Sequence, residues 1–300
     1  MPDIRLLVDC KTNLGEGPVW DVAEQRLYWV DSTAGEIFRC LEDGSEVQRF
    51  YLPTFIGSLA LRETGGAVLA MADGFNFFDF DTQRITPIYN PFADRPEYRF
   101  NDGKVDRKGR FFAGAMGLDF DPLDVSKPKA PARNGSLFRL DPDLSVHELE
   151  TGLICSNGPC WSPDDRTFYF GDSEHKTIWS YSYDIETGRI ADRRLFASDQ
   201  GFARTVDGAT VDAEGFLWMA KVLGGQIIRY APDGSIDRVI DFPLRNPTSV
   251  NFGGSNLDIL YVTCMGRPMR GIPPTHPNAG GVFAIHGLGV QGLPEPRFAG

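Results

Sequence analysis

Apolar and polar residues alternate with a period of two along most of the chain, in short runs such as RLYWVD and IRLLVDC. The runs are broken by Asp-Gly, Asp-Thr, Asp-Pro and Thr-Gly pairs. Successive side chains of a strand point to opposite faces, and those pairs accept the dihedrals of tight turns, so the pattern predicts hairpins and no sustained amphipathic helix. One hairpin pattern recurs. It reads GPVWDVAEQRLYWVD from Gly17, GSLALRETGGAVLAMADG from Gly57, NDGKVDRKGRFFAGAM from Asn101, NGPCWSPDDRTFYFGDS from Asn157, DGATVDAEGFLWMA from Asp207 and NPTSVNFGGSNLDILYVT from Asn246. With Trp20, Leu61, Asp106, Ser162, Asp212 and Phe252 as equivalent points, the units repeat every 40 to 56 residues.

A second hairpin follows most units, as in EIFRCLEDGSEVQRF, GSLFRLDPDLSVHEL and GQIIRYAPDGSIDRVIDF. Four strands per unit of this length are the signature of a propeller blade, whose faces are buried against neighbouring blades around a central channel. The sequence therefore predicts an all-β, six-bladed β-propeller forming a single domain over 1–300, rather than a sandwich or two β domains. The sixth unit ends at GGVFAI, residues 280–285, one strand short. The segment IRLLVDC at 4–10 is expected to supply that strand and close the ring. Asp43, Asp141 and Asp233 read as hairpin turns. The main irregularity is 117–134, GLDFDPLDVSKPKAPARN, a Pro- and Lys-containing insertion in the third unit expected to form a loop near the channel mouth and to shape specificity.

Composition narrows the partners. A formal net charge of −11 argues against nucleic acid or an anionic membrane, since both are polyanions. The N-terminus has no basic region followed by an apolar run, and no later segment approaches a membrane-spanning length, which leads to the expectation of a cytoplasmic protein. Five cysteines without a CxxC pair read as free thiols, and four scattered histidines (His147, His175, His276, His286) argue against a histidine-rich zinc site.

The chemistry-bearing positions share a phase of the repeat, at one end of the strand expected to line the channel. They are Glu16 in LGEGPVW, Arg99 and Asn101 in YRFNDG, Asn157 in SNGPCW and Asp207 in VDGATVD. Any one of these beside a glycine is an ordinary turn former, but independent turn formers need not share a phase. Two carboxylates and two amides converging on one tunnel would supply hard oxygen ligands, which favour Ca²⁺, with Mg²⁺, Mn²⁺, Zn²⁺ or Fe²⁺ as alternatives. No GxSxG or Ser–His–Asp arrangement points to a covalent mechanism.

These motifs together, LGEGPVWD, RFNDGKVDRKGRFFAGAM, GSLFRL, SNGPCWSPDDRTFYFGDS, DGATVDAEGFLWMA and AGGVFAI, resemble the senescence marker protein (regucalcin), gluconolactonase and luciferin-regenerating-enzyme family of six-bladed propellers. The resemblance implies one central divalent cation on Glu16, Asn157 and Asp207, substrate contacts from Arg99 and Asn101, and Asp207 as general base. Animal members of the family carry a further acidic residue in the loop before the GSL motif; here that loop differs in length and sequence, and Asp119, Asp121 and Asp124 are its candidates. The activity implied is metal-dependent hydrolysis of a small sugar lactone to the aldonic acid. The alternatives are a phosphotriester or phosphofluoridate hydrolase on the same metal, and a calcium-binding propeller without turnover.

Overall fold

The computed structural model describes residues 2–117 and 135–300. Its strands form six four-stranded antiparallel sheets, which follow one another along the chain as the six units predict. The innermost strands, blade by blade, are Gly15–Asp21, Ile56–Leu61, Tyr98–Val105, Ser156–Trp161, Thr205–Val211 and Pro247–Gly253. The sixth blade is completed by the N-terminal strand Asp3–Val8, which pairs antiparallel with Val282–His286, with Ile4 opposite Ile285 and Leu6 opposite Phe283. The two ends of the chain thus close the ring, as expected from residues 4–10. Most of the insertion, residues 118–134, lies outside the described residues, and with it Asp119, Asp121 and Asp124.

Each blade is held to the next by an aromatic pair. Phe50 meets Phe78 (ring centroids 6.0 Å), Phe75 meets Phe100 (4.3 Å) and Phe112 meets Trp161 (5.0 Å). Phe196 then meets Tyr230 (6.2 Å), Trp218 meets Phe252 (5.7 Å), and Tyr261 stacks on Trp20 (5.8 Å) to join the last blade to the first. Such pairs bury large areas in preferred offset or edge geometries, so blade registration and core formation are one event.

The outer hairpin turns are held by aspartates that accept from the residue two places on. Ser45 N and Oγ donate to Asp43 Oδ1 (2.9 and 2.6 Å), and Ser235 does the same to Asp233. In the third blade this bond is made by Asp143, from Ser145; the carboxylate of Asp141 instead pairs with Arg139 at 2.6 Å. The expected turn is present, but its bonding aspartate is two positions later.

After Val282–His286 the tail crosses the far end of the propeller. Gly292 bridges to Asp212, Phe298 lies fully buried beside Arg62, and Ala299 N donates to Gly109 O at 3.1 Å. On the way Glu295 pairs with Lys104 of the third inner strand at 3.0 Å, both largely buried.

Candidate metal and substrate site

All six inner strands carry a register slip at the same level. The slips fall between Glu16 and Val19, Ile56 and Ser58, Phe100 and Gly103, Asn157 and Cys160, Val206 and Ala209, and Pro247 and Ser249. A bulge inserts an unpaired residue and re-aims the side chains around it. Six bulges at one level are the physical content of the shared phase seen in the sequence. Glycine makes two of them: Gly17 (φ +51°) and Gly158 (φ +59°) adopt the left-handed region that L side chains avoid. At Gly158 a Cβ would also stand 2.9 Å from both Asp207 O and the Ala209 Cβ, so only a bare backbone lets the fourth and fifth inner strands approach so closely.

The bulges bring Glu16, Arg99, Asn101, Asn157 and Asp207 onto one cavity. Its remaining lining is apolar from Leu14, Met116, Cys155, Met265 and Met269, and polar from Ser173, Glu174 and Thr205. All five residues singled out in the sequence therefore share one site.

A chain of hydrogen bonds links them. Arg99 Nη1 donates to Asn101 Oδ1 (2.9 Å), and the Arg99 guanidinium lies 3.8 Å from the ring centre of Phe55. Asn101 Nδ2 donates to Ser156 O (2.9 Å) and Asn157 Oδ1 (3.0 Å). Asn157 Nδ2 donates to Ser173 Oγ (2.7 Å), which donates onward to Val206 O (2.8 Å). Asn101, expected as a substrate contact, thus also fixes which face of the Asn157 amide carries the oxygen. Two aspartates in repeated Asp-Ser pairs steer the loops leading into the site. Asp31 accepts from Asn13 N and Leu14 N (2.6 and 3.1 Å) ahead of Glu16, and Asp172 accepts from Ile154 N (3.0 Å) ahead of Asn157.

The electrostatics of the channel are those of crowded acids. Burial, and then the nearby Asp102, hold the Glu16 carboxyl well above the usual carboxylate range against the opposing Gly17 N–H and Arg99. Burial, then Glu16, then Asp102 do the same to Asp207. Asp102 is itself raised by burial, although it accepts from Gly158 N and Gly103 N, both at 2.8 Å. Two acids that repel each other across a cavity are stabilised by a bound cation, and Glu16, Asp207 and the Asn157 amide oxygen are hard oxygen donors suited to one. Among the described residues no three His, Cys, Asp or Glu side chains gather at metal-binding distance, consistent with a donor set of two carboxylates and an amide.

Asp102 was not singled out from the sequence although it belongs to the same RFNDG motif and the same bulge. Its phase was the available signal. Ser173, Glu174 and Thr205 reach the cavity from outside that phase, and spacing gave no sign of them. The five cysteines are free, four of them buried, as their spacing suggested.

The family model described as the SMP-30/Gluconolactonase/LRE-like region matches residues 14–266. Regucalcin of Xenopus laevis is 37% identical over 300 residues, covering 99% of this chain and 98% of the relative. Among solved structures, a luciferin-regenerating enzyme superposes with a TM-score of 0.90 at 27% identity, over 100% of both chains. Regucalcin from Agrobacterium tumefaciens, described as a calcium-binding protein, superposes with a TM-score of 0.88 at 25% identity, over 99% of this chain and 97% of its own.

Proposed function

The chain belongs to the SMP-30/gluconolactonase/LRE-like family, and on that footing we propose that it hydrolyses a small sugar lactone to the aldonic acid with one divalent cation held by Glu16, Asn157 and Asp207. The observation that carries this reading is the meeting, in one cavity, of two mutually repelling acids, an oriented amide oxygen and an arginine. A cation bound there supplies Lewis-acid polarisation of the lactone carbonyl and stabilisation of the developing oxyanion. Oxygen-only donors favour Ca²⁺, with Zn²⁺, Mn²⁺, Mg²⁺ and Fe²⁺ as the competing ions.

Asp207 keeps partial access to the cavity, which suits a carboxylate that takes a proton from the attacking water. Arg99, braced against Phe55 and Asn101, presents a planar fork to the oxygens of the substrate, and Asn101 holds the Asn157 amide in register. Leu14, Met116, Met265 and Met269 give the cavity lining an apolar part that holds no water by hydrogen bonds. The product carries a new carboxylate, and the acids of the channel repel it, so release is favoured once the ring has opened.

The calcium-binding description of the Agrobacterium structure supports a second reading, a propeller that binds the cation without turnover. One panel separates the readings: five- and six-membered aldonolactones and a phosphotriester, each assayed with Ca²⁺, Mg²⁺, Mn²⁺, Zn²⁺ and Fe²⁺. Metal-dependent opening of one or more aldonolactones, with little or no phosphotriester cleavage, is expected. Cation binding with no hydrolysis of any member would leave the second reading.

A further inference from the structure

The cavity wall contains one acid that the ligand set does not use. Glu174 follows the second strand of the fourth blade, Thr167–Asp172, and its side chain is only 16% exposed. Burial raises its proton affinity against the opposing Arg270, so the carboxylate is held in place at a cost. Across the mouth its Oε1 accepts from Arg270 Nη2 at 2.6 Å, while among the described residues Oε2 accepts no hydrogen bond. Arg270 sits at the tip of a tight turn in the sixth blade. Met269 and Ile272 exchange both backbone bonds (3.0 and 2.9 Å), and Arg270 (φ +49°) and Gly271 (φ +75°) take the two left-handed positions of a type I′ turn. Met269 anchors that turn by packing with Leu14, Val222 and Met265. The guanidinium is thus delivered from a fixed point, and it orients the carboxylate of a residue that lines the cavity.

An ion pair this near the surface contributes little to stability, and an apolar residue would extend the methionine-rich wall at no desolvation cost. A fixed acceptor with an open lone pair is instead the group that recognises a hydroxyl. We infer that Glu174, positioned by Arg270, is the hydroxyl-recognising residue of the cavity and selects polyhydroxylated lactones over unsubstituted ones. The inference rests on the lactonase reading and adds to it a cavity residue outside the bulge phase.

The test compares kcat/KM for glucono-δ-lactone with that for δ-valerolactone, in the full-length metal-loaded protein and in Glu174→Leu, Glu174→Gln and Arg270→Met. In parallel, calorimetry measures the affinity for methyl β-glucoside, which has the ring hydroxyls and no lactone carbonyl. The ratio of the two kcat/KM values is expected to fall at least about tenfold in Glu174→Leu, chiefly through KM, and less in Glu174→Gln and Arg270→Met. Glucoside affinity is expected to fall by a similar factor. Equal losses on both lactones with unchanged glucoside affinity would overturn the assignment and leave Glu174 a structural residue. If the wild type opens no lactone, the parent reading fails, while the glucoside measurement still decides the role of Glu174.

Discussion

Asp207 carries the heaviest assignment, as cation ligand and as base, and the two roles separate by substitution. Asp207→Asn keeps an oxygen donor of nearly the same shape and removes the basicity. It is expected to retain cation at saturating concentration and to lose roughly 10²-fold or more in kcat, the scale of general-base catalysis. Near-native turnover of the loaded variant would move the base role elsewhere. The raised proton affinities of Glu16 and Asp207 also set a direction with pH. Both bind protons more tightly in the folded chain than in the unfolded one. Their contribution to metal-free stability is therefore present below the ordinary carboxylate range and is lost as pH rises through the higher folded values. A cation replaces those protons, so the rise in Tm caused by Ca²⁺ should grow as pH rises above the ordinary carboxylate range, reaching roughly 4 °C at a hundredfold excess over Kd. A shift independent of pH, read from melting curves with calcium and with chelator, would contradict it. Glu16, Arg99, Asn101, Asn157 and Asp207 were legible because all five lie on or beside a bulge of an inner strand. Asp102 shares that bulge and phase and was readable by the same signal, although its carboxylate is spent on two backbone N–H groups, whereas Glu174 arrives from a loop whose partner is 96 residues away and spacing gave no sign of it.

The bulged inner strand is the element on which the site depends, and its glycines are not equivalent. A Cβ at Gly17 meets nothing within 4 Å, so Gly17→Ala costs only the left-handed backbone, about 1–2 kcal/mol. A Cβ at Gly158 adds overlap with Asp207 O and Ala209, bringing the cost to roughly 2–4 kcal/mol. The Gly158→Ala backbone must move away from Asp207, so its cation affinity is expected to fall at least tenfold, with a much smaller change in Gly17→Ala. Chemical denaturation and calcium titration of both variants check this, and equal calcium affinities would contradict it. The hairpins were readable from period and turn residues because both are local properties. The bulges were not, since a slip of register appears only when two strands are laid side by side. The misplaced turn aspartate of the third blade has the same origin: Asp141 and Asp143 are both plausible in the sequence, and Arg139 decides between them.

Across the molecule, the ring closes through the first and last strands, and the tail fastens the far end of the channel with Glu295 on Lys104 and Phe298 beside Arg62. The closing strand was legible because the sixth unit is visibly one strand short. The course of the tail was not, because every contact it makes spans a large part of the chain. This closure holds the six bulges at one level, so that residues from the first, third, fourth and fifth blades meet at a single cavity on the channel. A net charge of −11 adds a field that draws a cation inward and expels an anionic product. The most direct test is a titration of chelator-stripped protein with Ca²⁺, following the initial rate of aldonolactone opening. Negligible hydrolysis before addition, and saturable recovery with one equivalent that is abolished in Glu16→Gln/Asp207→Asn, is the expected result. Full turnover by the stripped protein, or recovery unaffected by the double substitution, would contradict a catalytic cation held by Glu16, Asn157 and Asp207.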